Sequence, residues 1–111
     1  MGFLNFIFGR KKRQVQEYLN NGAIILDVRT QREWDNGHIN NSVHIPLNEL
    51  NTRVKEVKAL NKPLVVCCAS CVRSNKAAKF LNLKAIDATN GGDWVNLEKN
   101  INWNEIRSST Y

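Results

Sequence analysis

Three cysteines, Cys67, Cys68 and Cys71, lie within five residues of this chain. A clustered, odd set of cysteines is not the framework of a disulfide-stapled domain. Cys68 ends an apolar run, Leu64–Cys68, that is typical of a buried strand, and a short loop then leads into a helix. Such a strand–loop–helix unit turns backbone N–H groups and the positive end of a helix dipole toward one point. A cysteine held there is stabilised as a thiolate, so the pattern predicts a nucleophile at Cys68.

The residues that follow Cys68 complete the candidate site. They are interpreted as a substrate-binding loop that consists of Ala69, Ser70, Cys71, Val72, Arg73 and Ser74. Arg73 adds a fixed positive charge with forked donors suited to an oxyanion. The alternative is that a cysteine at a strand end is a small buried apolar residue. Alternation along the strand turns Cys67 away from Cys68, so that role is assigned to Cys67.

The composition is that of one small domain. The chain has 111 residues, of which 42% are hydrophobic and 23% are charged, and this length is typical of a single domain. No apolar run approaches the ~18–20 residues that span a bilayer. The net charge of +6 comes from 16 basic and 10 acidic residues, and four of the bases lie at Arg10–Arg13. Because the excess is local, nucleic-acid binding is not expected.

The N-terminus is interpreted as a separate segment, with residues 1–13 an apolar and then basic arm and residues 14–107 the folded domain. The basic residues follow the apolar ones, which reverses the order of a secretory signal, and no small-residue cleavage site is present. We expect a docked or frayed arm with a solvated charge run. Contact with an anionic membrane surface is the less favoured alternative. Clustered reduced thiols favour a cytoplasmic protein.

Short apolar runs alternate with helical patterns along the chain. Strands are predicted at Ala23–Val28, Val43–Ile45, Leu64–Cys68 and Ala85–Ala88, and helices at Arg13–Leu19, Gln31–Asn36, Leu47–Leu60, Ser74–Leu81 and after Gly91-Gly92. This alternation indicates βαβ units, a parallel sheet and helices on both faces. The fold class is therefore α/β, and a ligand is expected at the carboxyl ends of the strands.

The stretch Val66–Ser74 resembles the active-site loop of the rhodanese, or sulfurtransferase, domains. Further family signatures are similar to Leu26–Arg29, Glu33-Trp34, Gly37–Ile39, Ile45–Leu47 and Gly91-Gly92 with Trp94. The resemblance covers residues 14–103 and implies a mostly parallel five-stranded sheet, whose first strand would lie near Arg10–Arg13. It also implies that Cys68 accepts a sulfane sulfur as a persulfide and passes it to a thiol or to cyanide.

The spacing of the loop separates this chain from other proteins of similar fold. Four residues stand between Cys68 and Arg73, whereas related phosphatases and arsenate reductases have five there, and the shorter loop favours sulfur chemistry. A ping-pong cycle would take sulfur from a small anionic donor such as thiosulfate and give it to a thiol acceptor. No cofactor or metal is implied, because a zinc site at the cysteines lacks a second pair of ligands. The oligomeric state stays open.

Cys71 departs from the family pattern, in which glycine is usual at that position. It makes Cys68 and Cys71 a C-x-x-C pair at the start of a helix, as in thiol–disulfide oxidoreductases. One alternative function is therefore a redox or sensor protein in which Cys71 resolves an oxidised Cys68. Another is a catalytically idle binding module, which would have no need of an activated thiol. The simplest interpretation of Cys71 itself is a small residue in the place of glycine.

The remaining polar candidates are interpreted as structural. Asp27 and Arg29, at the end of the first buried strand, are predicted supporting residues that hydrogen-bond neighbouring loops. Glu33 is expected to pair with Arg29 or to cap a turn. His38 and His44 are expected to be satisfied structural histidines and not metal ligands.

Overall fold

The computed structural model describes the backbone of residues 2–109 and the side chains of residues 10–106. The strands are β1 (Ile24–Asp27), β2 (Val43–His44), β3 (Leu64–Cys68) and β4 (Ala88–Asp93). The helices are α1 (Gly2–Asn20), α2 (Gln31–Asp35), a 3-10 helix (Leu47–Thr52), α3 (Val54–Leu60), α4 (Cys71–Leu83), α5 (Trp94–Asn100) and α6 (Trp103–Ser109). Within the described residues, no helix combines the length and the apolar character needed to cross a membrane.

The strands form one parallel sheet in the order β2-β1-β3-β4. All five residues of β3 are buried, as expected for an interior strand covered on both faces. In the pairing register, Asp27 of β1 stands opposite Cys67, and Asp93 of β4 stands opposite Cys68. The carboxyl end of β3 therefore lies between the carboxyl ends of β1 and β4.

Helices cover both faces of this sheet, which confirms the predicted α/β class. Leu64, Val66 and Cys68 belong to an apolar cluster formed with the 3-10 helix, α3 and α4. Val65 and Cys67 belong to a second cluster, formed with α1 and α5. Adjacent residues of β3 thus serve opposite faces, as the two-residue period of a strand requires.

The expected strand near Arg10–Arg13 is wrong, because these residues are helical in α1 and the described sheet has four strands rather than five. Val15 and Leu19 stand four residues apart on α1, and both are buried in the second cluster. The surrounding Lys, Arg, Gln and Glu residues are also good helix formers. The helix continues across residue 13, and the division between an arm and a domain at that position stays a prediction.

Helix α1 lies beside the edge strand β4. Lys11 Nζ donates a hydrogen bond to Thr89 Oγ1 (3.0 Å), and the Thr89 hydroxyl donates to Gln14 Oε1 (3.1 Å). The side-chain amide of Asn82 satisfies the outward-facing backbone groups of Ala88 on the same strand. It accepts from the Ala88 N–H and donates to the Ala88 carbonyl, both at 3.0 Å. A side-chain amide therefore makes the pair of bonds that a neighbouring strand would make, which protects the edge.

The predicted helix over Leu47–Leu60 is interrupted at Arg53. A 3-10 helix ends at Thr52, and α3 begins at Val54. Asparagine and threonine are weak helix formers, so the Asn51-Thr52 pair favours a break there. The apolar period survives the break, because Leu50 and Val57 are both buried in the first cluster.

The last strand begins later than predicted. Ala85 follows the C-cap residue of α4 and has a left-handed backbone (φ 64°). The next residue, Ile86, donates its N–H to the Leu81 carbonyl at 3.0 Å. The Ala85 N–H bonds to the Asn82 carbonyl at 3.1 Å, which completes a Schellman motif. Because this motif uses Ala85 and Ile86 to end α4, strand β4 starts only at Ala88.

Candidate active site

Cys68 is the last residue of β3, and its side chain is fully enclosed, with 0% exposure. It lies in the same apolar cluster as Ala77 of α4. Cys67 is equally buried, but on the opposite face of the sheet. Burial, and secondarily the Asp27 carboxylate, raises the pKa of the Cys67 thiol. Cys67 is therefore a core residue, as expected.

The predicted substrate-binding loop connects β3 to α4. Ala69, Ser70, Cys71 and Val72 are exposed, and α4 begins at Cys71, three residues before its predicted start. The N–H groups in the first turn of a helix lack intrahelical acceptors. Those of Cys71, Val72 and Arg73 therefore belong to the positive end of a 13-residue helix. An anion at the end of β3 would meet these donors.

A hydrogen-bond network holds the start of α4 against β4. Ser74 is fully buried, and its hydroxyl lies 2.6 Å from Asn90 Oδ1, to which it donates. The same Asn90 oxygen accepts from the Gly92 N–H (2.8 Å), and Asn90 Nδ2 donates to the Cys71 carbonyl (3.4 Å). Ser74 thus uses its side chain to position the loop. Sequence reasoning missed Asn90, because its role depends on which residues β4 brings beside α4.

The exposed Cys71 thiol also lies against β4. Its Sγ is 3.5 Å from the point that a Cβ atom on residue 92 would occupy, and Gly92 has a left-handed backbone (φ 79°). Glycine at this position therefore leaves room for the thiol as well as allowing the backbone turn. The three cysteines do not form one cluster, because Cys67 faces the opposite side of the sheet from Cys68.

Arg73 is paired with Glu33 across 40 residues of sequence. Its Nη1 and Nη2 atoms each lie 3.2 Å from a different carboxylate oxygen of Glu33. This contact, with the Thr30 backbone N–H, lowers the pKa of Glu33 to about 2. The expected pair of Glu33 with Arg29 is wrong, because Arg29 is bound by Asp27. The capping expectation is right, since Glu33 and Thr30 form a capping box at the start of α2.

Asp27 and Arg29 form a buried ion pair under the neighbouring loops. They are 1% and 3% exposed, and the Arg29 guanidinium donates three hydrogen bonds of 2.8–3.0 Å to the Asp27 carboxylate. Arg29 also donates to the carbonyl oxygens of Glu33 (3.1 Å) and Gly37 (2.7 Å). The pair therefore ties the end of β1 to the α2 region, and its role in supporting the active site stays a prediction.

Both histidines stack on the same tryptophan. The ring of Trp34 lies 3.6 Å from that of His38 and 4.7 Å from that of His44, measured between centroids. His44 Nε2 lies 2.7 Å from the Arg29 carbonyl, and His38 Nδ1 lies 3.0 Å from the Trp34 carbonyl. Trp94 packs under the Arg29 guanidinium, 4.4 Å from its ring centroid. His44 thus contacts the backbone carbonyl of Arg29, and Trp94 contacts its guanidinium.

Three features therefore lie at the carboxyl end of the interior strand β3. They are the Cys68 thiol, the first turn of α4 and the Arg73 guanidinium. The pKa of Arg73 is raised, first by its hydrogen bonds to Glu33 and to a lesser extent by Cys68. An isolated arginine would favour any anion, whereas this one is already partly neutralised by a carboxylate.

Comparison with known proteins assigns the class. A family model described as "Rhodanese-like domain" matches residues 11–101, so the chain belongs to the rhodanese-like family. It is 35% identical over 68 residues, 61% of this chain and 63% of the relative, to "Thiosulfate sulfurtransferase GlpE" of Pseudomonas syringae. It is 39% identical over 72 residues to "Putative sulfur carrier protein YrkF" of Bacillus subtilis, or 65% of this chain and 36% of the relative. This chain therefore spans less than two thirds of each of these relatives.

A solved structure gives the same assignment of the fold. A rhodanese-related protein from Thermoplasma volcanium superposes with a TM-score of 0.66 at 27% sequence identity. The superposition covers 79% of this chain and 86% of that protein. The resemblance seen in the sequence motifs is thereby confirmed at the level of the family and the fold.

Proposed function

We propose that this protein is a sulfurtransferase in which Cys68 carries a sulfane sulfur as a persulfide. The donor is a small anion such as thiosulfate, and the acceptor is a thiol or cyanide. The observation that carries the proposal is the position of Cys68, which ends an interior strand immediately before the positive N-terminal turn of α4. The relatives named as a thiosulfate sulfurtransferase and a putative sulfur carrier support the same chemistry.

The proposed cycle has two displacement steps. The Cys68 thiolate attacks the outer sulfur of thiosulfate, a new S–S bond forms on Cys68, and the old S–S bond breaks as sulfite leaves. An acceptor thiolate then attacks the outer sulfur of the persulfide and releases Cys68 as a thiolate. Both departing groups leave as stable anions, so the cycle needs no general acid and no external oxidant.

The charges around the loop support anionic intermediates. The N–H groups in the first turn of α4 favour negative charge at the strand end, and Arg73, the pKa of which is raised by Glu33 and to a lesser extent by Cys68, adds a positive charge to the loop. Cys68 is enclosed, whereas the adjoining residues Ala69 and Ser70 are exposed. Loading therefore requires the loop to move aside and admit the donor.

Intact mass spectrometry of the reduced protein after incubation with thiosulfate tests the proposal. Wild type is expected to gain the mass of one sulfur atom, which a reductant removes, and Cys68→Ser is expected to gain none. Cys67→Ala is the matched control: it removes the neighbouring thiol, which lies on the other face of the sheet, and it should still gain the sulfur. An equal gain by Cys68→Ser would contradict the proposal, as would no gain by wild type.

A dithiol redox protein is the second candidate, and one observation favours it. Cys71 is an exposed thiol at the first position of α4, and it completes a C-x-x-C pair with Cys68. Helix N-termini and this spacing lower cysteine pKa values in thiol–disulfide oxidoreductases. Loss of two hydrogen atoms under mild oxidation, without any gain of sulfur from thiosulfate, would favour this function over sulfur transfer.

A further inference from the structure

A cavity of about 290 Å³ adjoins the candidate site on the face of the sheet that carries α1 and α5. Its apolar wall includes Val15 of α1 and Leu97 of α5. At the loop, the described residue that lines it is Cys71, and Cys68 is not among the lining residues. Ligand pockets usually start near 300 Å³, so this volume suits a small molecule. A ligand in the cavity would therefore contact the Cys71 thiol and not the enclosed Cys68.

The charged residues of the cavity favour an anionic ligand. Lys11 and Lys12 both line it, and the Lys11 ammonium donates to two uncharged groups, Gln14 Oε1 (3.2 Å) and Thr89 Oγ1 (3.0 Å). Among the described lining residues, the one carboxylate is that of Asp93, which already caps α5 by accepting the N–H groups of Val95 (2.7 Å) and Asn96 (3.2 Å). The positive charge of the two lysines is thus left without an equivalent counter-charge in the wall.

The position of Cys71 connects this cavity with Cys68. The two cysteines form a C-x-x-C pair, with Cys68 at the end of β3 and Cys71 at the start of α4, which is the spacing of the paired cysteines in thiol–disulfide oxidoreductases. Cys71 is also the first residue of a 13-residue helix, and the N–H groups of this first turn favour a negative charge placed near them. One sulfur atom is therefore enclosed and the other exposed, at the two ends of one short loop.

We infer that the cavity binds the sulfur acceptor, a small thiol that carries an anionic group, and that Cys71 delivers the sulfur to it. This inference rests on the proposed function, because it assumes that Cys68 carries a persulfide. Cys68 then holds the sulfur away from solvent, and Cys71 exchanges it with the acceptor. Lys12 binds the anionic end of the acceptor, because the Lys11 ammonium already donates to Gln14 and Thr89, which do not line the cavity.

The transfer balances without an oxidant or a reductant. The Cys71 thiolate attacks the outer sulfur of the Cys68 persulfide, an S–S bond forms on Cys71, and Cys68 leaves as a thiolate. The acceptor thiolate next attacks the outer sulfur of the Cys71 persulfide, and Cys71 leaves as a thiolate. Each step forms one S–S bond and breaks one, and the number of anionic sulfur atoms is unchanged.

The first test follows the release of sulfur from protein loaded with thiosulfate and then freed of donor. With 3-mercaptopropionate as the acceptor, Cys71→Ser should release its sulfur at least about tenfold more slowly than wild type, per sulfur loaded. Tandem mass spectrometry of alkylated wild type should find part of the sulfur on Cys71. Equal release by the two proteins, with the sulfur on Cys68 alone, overturns the inference and leaves the proposed function intact. If wild type takes up no sulfur, both fall.

The second test fills the cavity and does not touch the loop. Asn96 is an exposed lining residue, and its side chain makes no hydrogen bond among those described, so Asn96→Trp should fold and obstruct the cavity. Release to 3-mercaptopropionate should fall about tenfold relative to release to cyanide, a two-atom acceptor. Asn51→Trp, a matched change in the exposed 3-10 helix, should not alter this ratio. An unchanged ratio in Asn96→Trp overturns the inference.

The third test examines the sign of the charge. Lys12→Gln should slow release to the anionic 3-mercaptopropionate about two- to fivefold relative to release to the cationic cysteamine, as expected for one exposed charge. Lys55→Gln removes an exposed charge from α3, outside the cavity, and should leave the two acceptors in the wild-type ratio. If wild type, Lys12→Gln and Lys55→Gln all release sulfur to the two acceptors in the same ratio, the assignment of an anionic ligand is overturned.

Discussion

Replacing Asp27 with asparagine tests whether the buried ion pair holds the site together. The change keeps the size of the side chain and one oxygen acceptor, but it removes the charge that faces Arg29. Both residues are almost fully buried, so solvent does not compensate for the missing carboxylate. We therefore expect a large loss of stability from a nearly isosteric substitution.

The contacts of Arg29 set the size of this loss. Leaving one member of a buried pair without its partner costs about 3–5 kcal/mol. Two of the guanidinium's hydrogen bonds go to the carbonyl oxygens of Glu33 and Gly37 and survive the change, so we expect a value near the lower limit, about 3 kcal/mol. That is a large share of the 5–15 kcal/mol by which small domains are typically stable.

Equilibrium urea unfolding at pH 7 measures the effect. With a slope of about 1–3 kcal/mol per molar urea, Asp27→Asn should lower the midpoint by about 1–3 M. The control is Glu56→Gln, which breaks the exposed ion pair with Arg53 and should cost less than about 1 kcal/mol. If the two variants lose similar amounts, the buried pair is not the support that its geometry suggests.

Three further changes test the surroundings of the site. The carboxylate of Glu33, with its pKa lowered to about 2, should contribute about 1 kcal/mol above pH 4.5, after allowance for its one-third exposure. This contribution is lost as the pH falls toward 2, so the difference in urea midpoint between wild type and Glu33→Gln should shrink below pH 4.5; a constant difference would refute the assignment. Gly91→Ala places a Cβ atom 2.6 Å from buried Val65 and should lower the free energy of unfolding by about 1–3 kcal/mol, which thermal unfolding would detect; an unchanged melting temperature would contradict it. Asn82→Ala leaves the Ala88 N–H and carbonyl without their partner and should cost about 1–3 kcal/mol in urea unfolding; a cost below about 0.5 kcal/mol would show that water replaces the amide.

The strand that carries Cys68 was predictable because its signals are local. Leu64–Cys68 is a short apolar run with β-branched residues after a proline, and the structure has β3 at the same bounds. The assignment of Cys67 and Cys68 to opposite faces follows from the two-residue period of any strand. Helix α5 was placed correctly after the glycine pair for the same reason.

The errors arose where distant residues decide local structure. The residues near Arg10–Arg13 are helical because α1 continues through them to Val15 and Leu19, which pack on the sheet, whereas the strand expected there was implied by the family resemblance alone. Arg73 pairs with Glu33, which is 40 residues away in the sequence. Arg29 is closer to Glu33 in the sequence but is paired with Asp27. Which carboxylate an arginine meets depends on the order of the strands, and the sequence does not show that order.

The sequence by itself determined the α/β class, the rhodanese-like family and Cys68 as the candidate nucleophile, because periodicity and motif spacing are carried by neighbouring residues. The tertiary structure decided which thiol is enclosed and which is exposed, since burial depends on what packs over a residue. It placed Cys71 beside Gly92 and at the wall of a cavity, where the sequence showed only a cysteine in the usual place of a glycine. Contacts of this kind form only when α1, β4 and α5 come together in space.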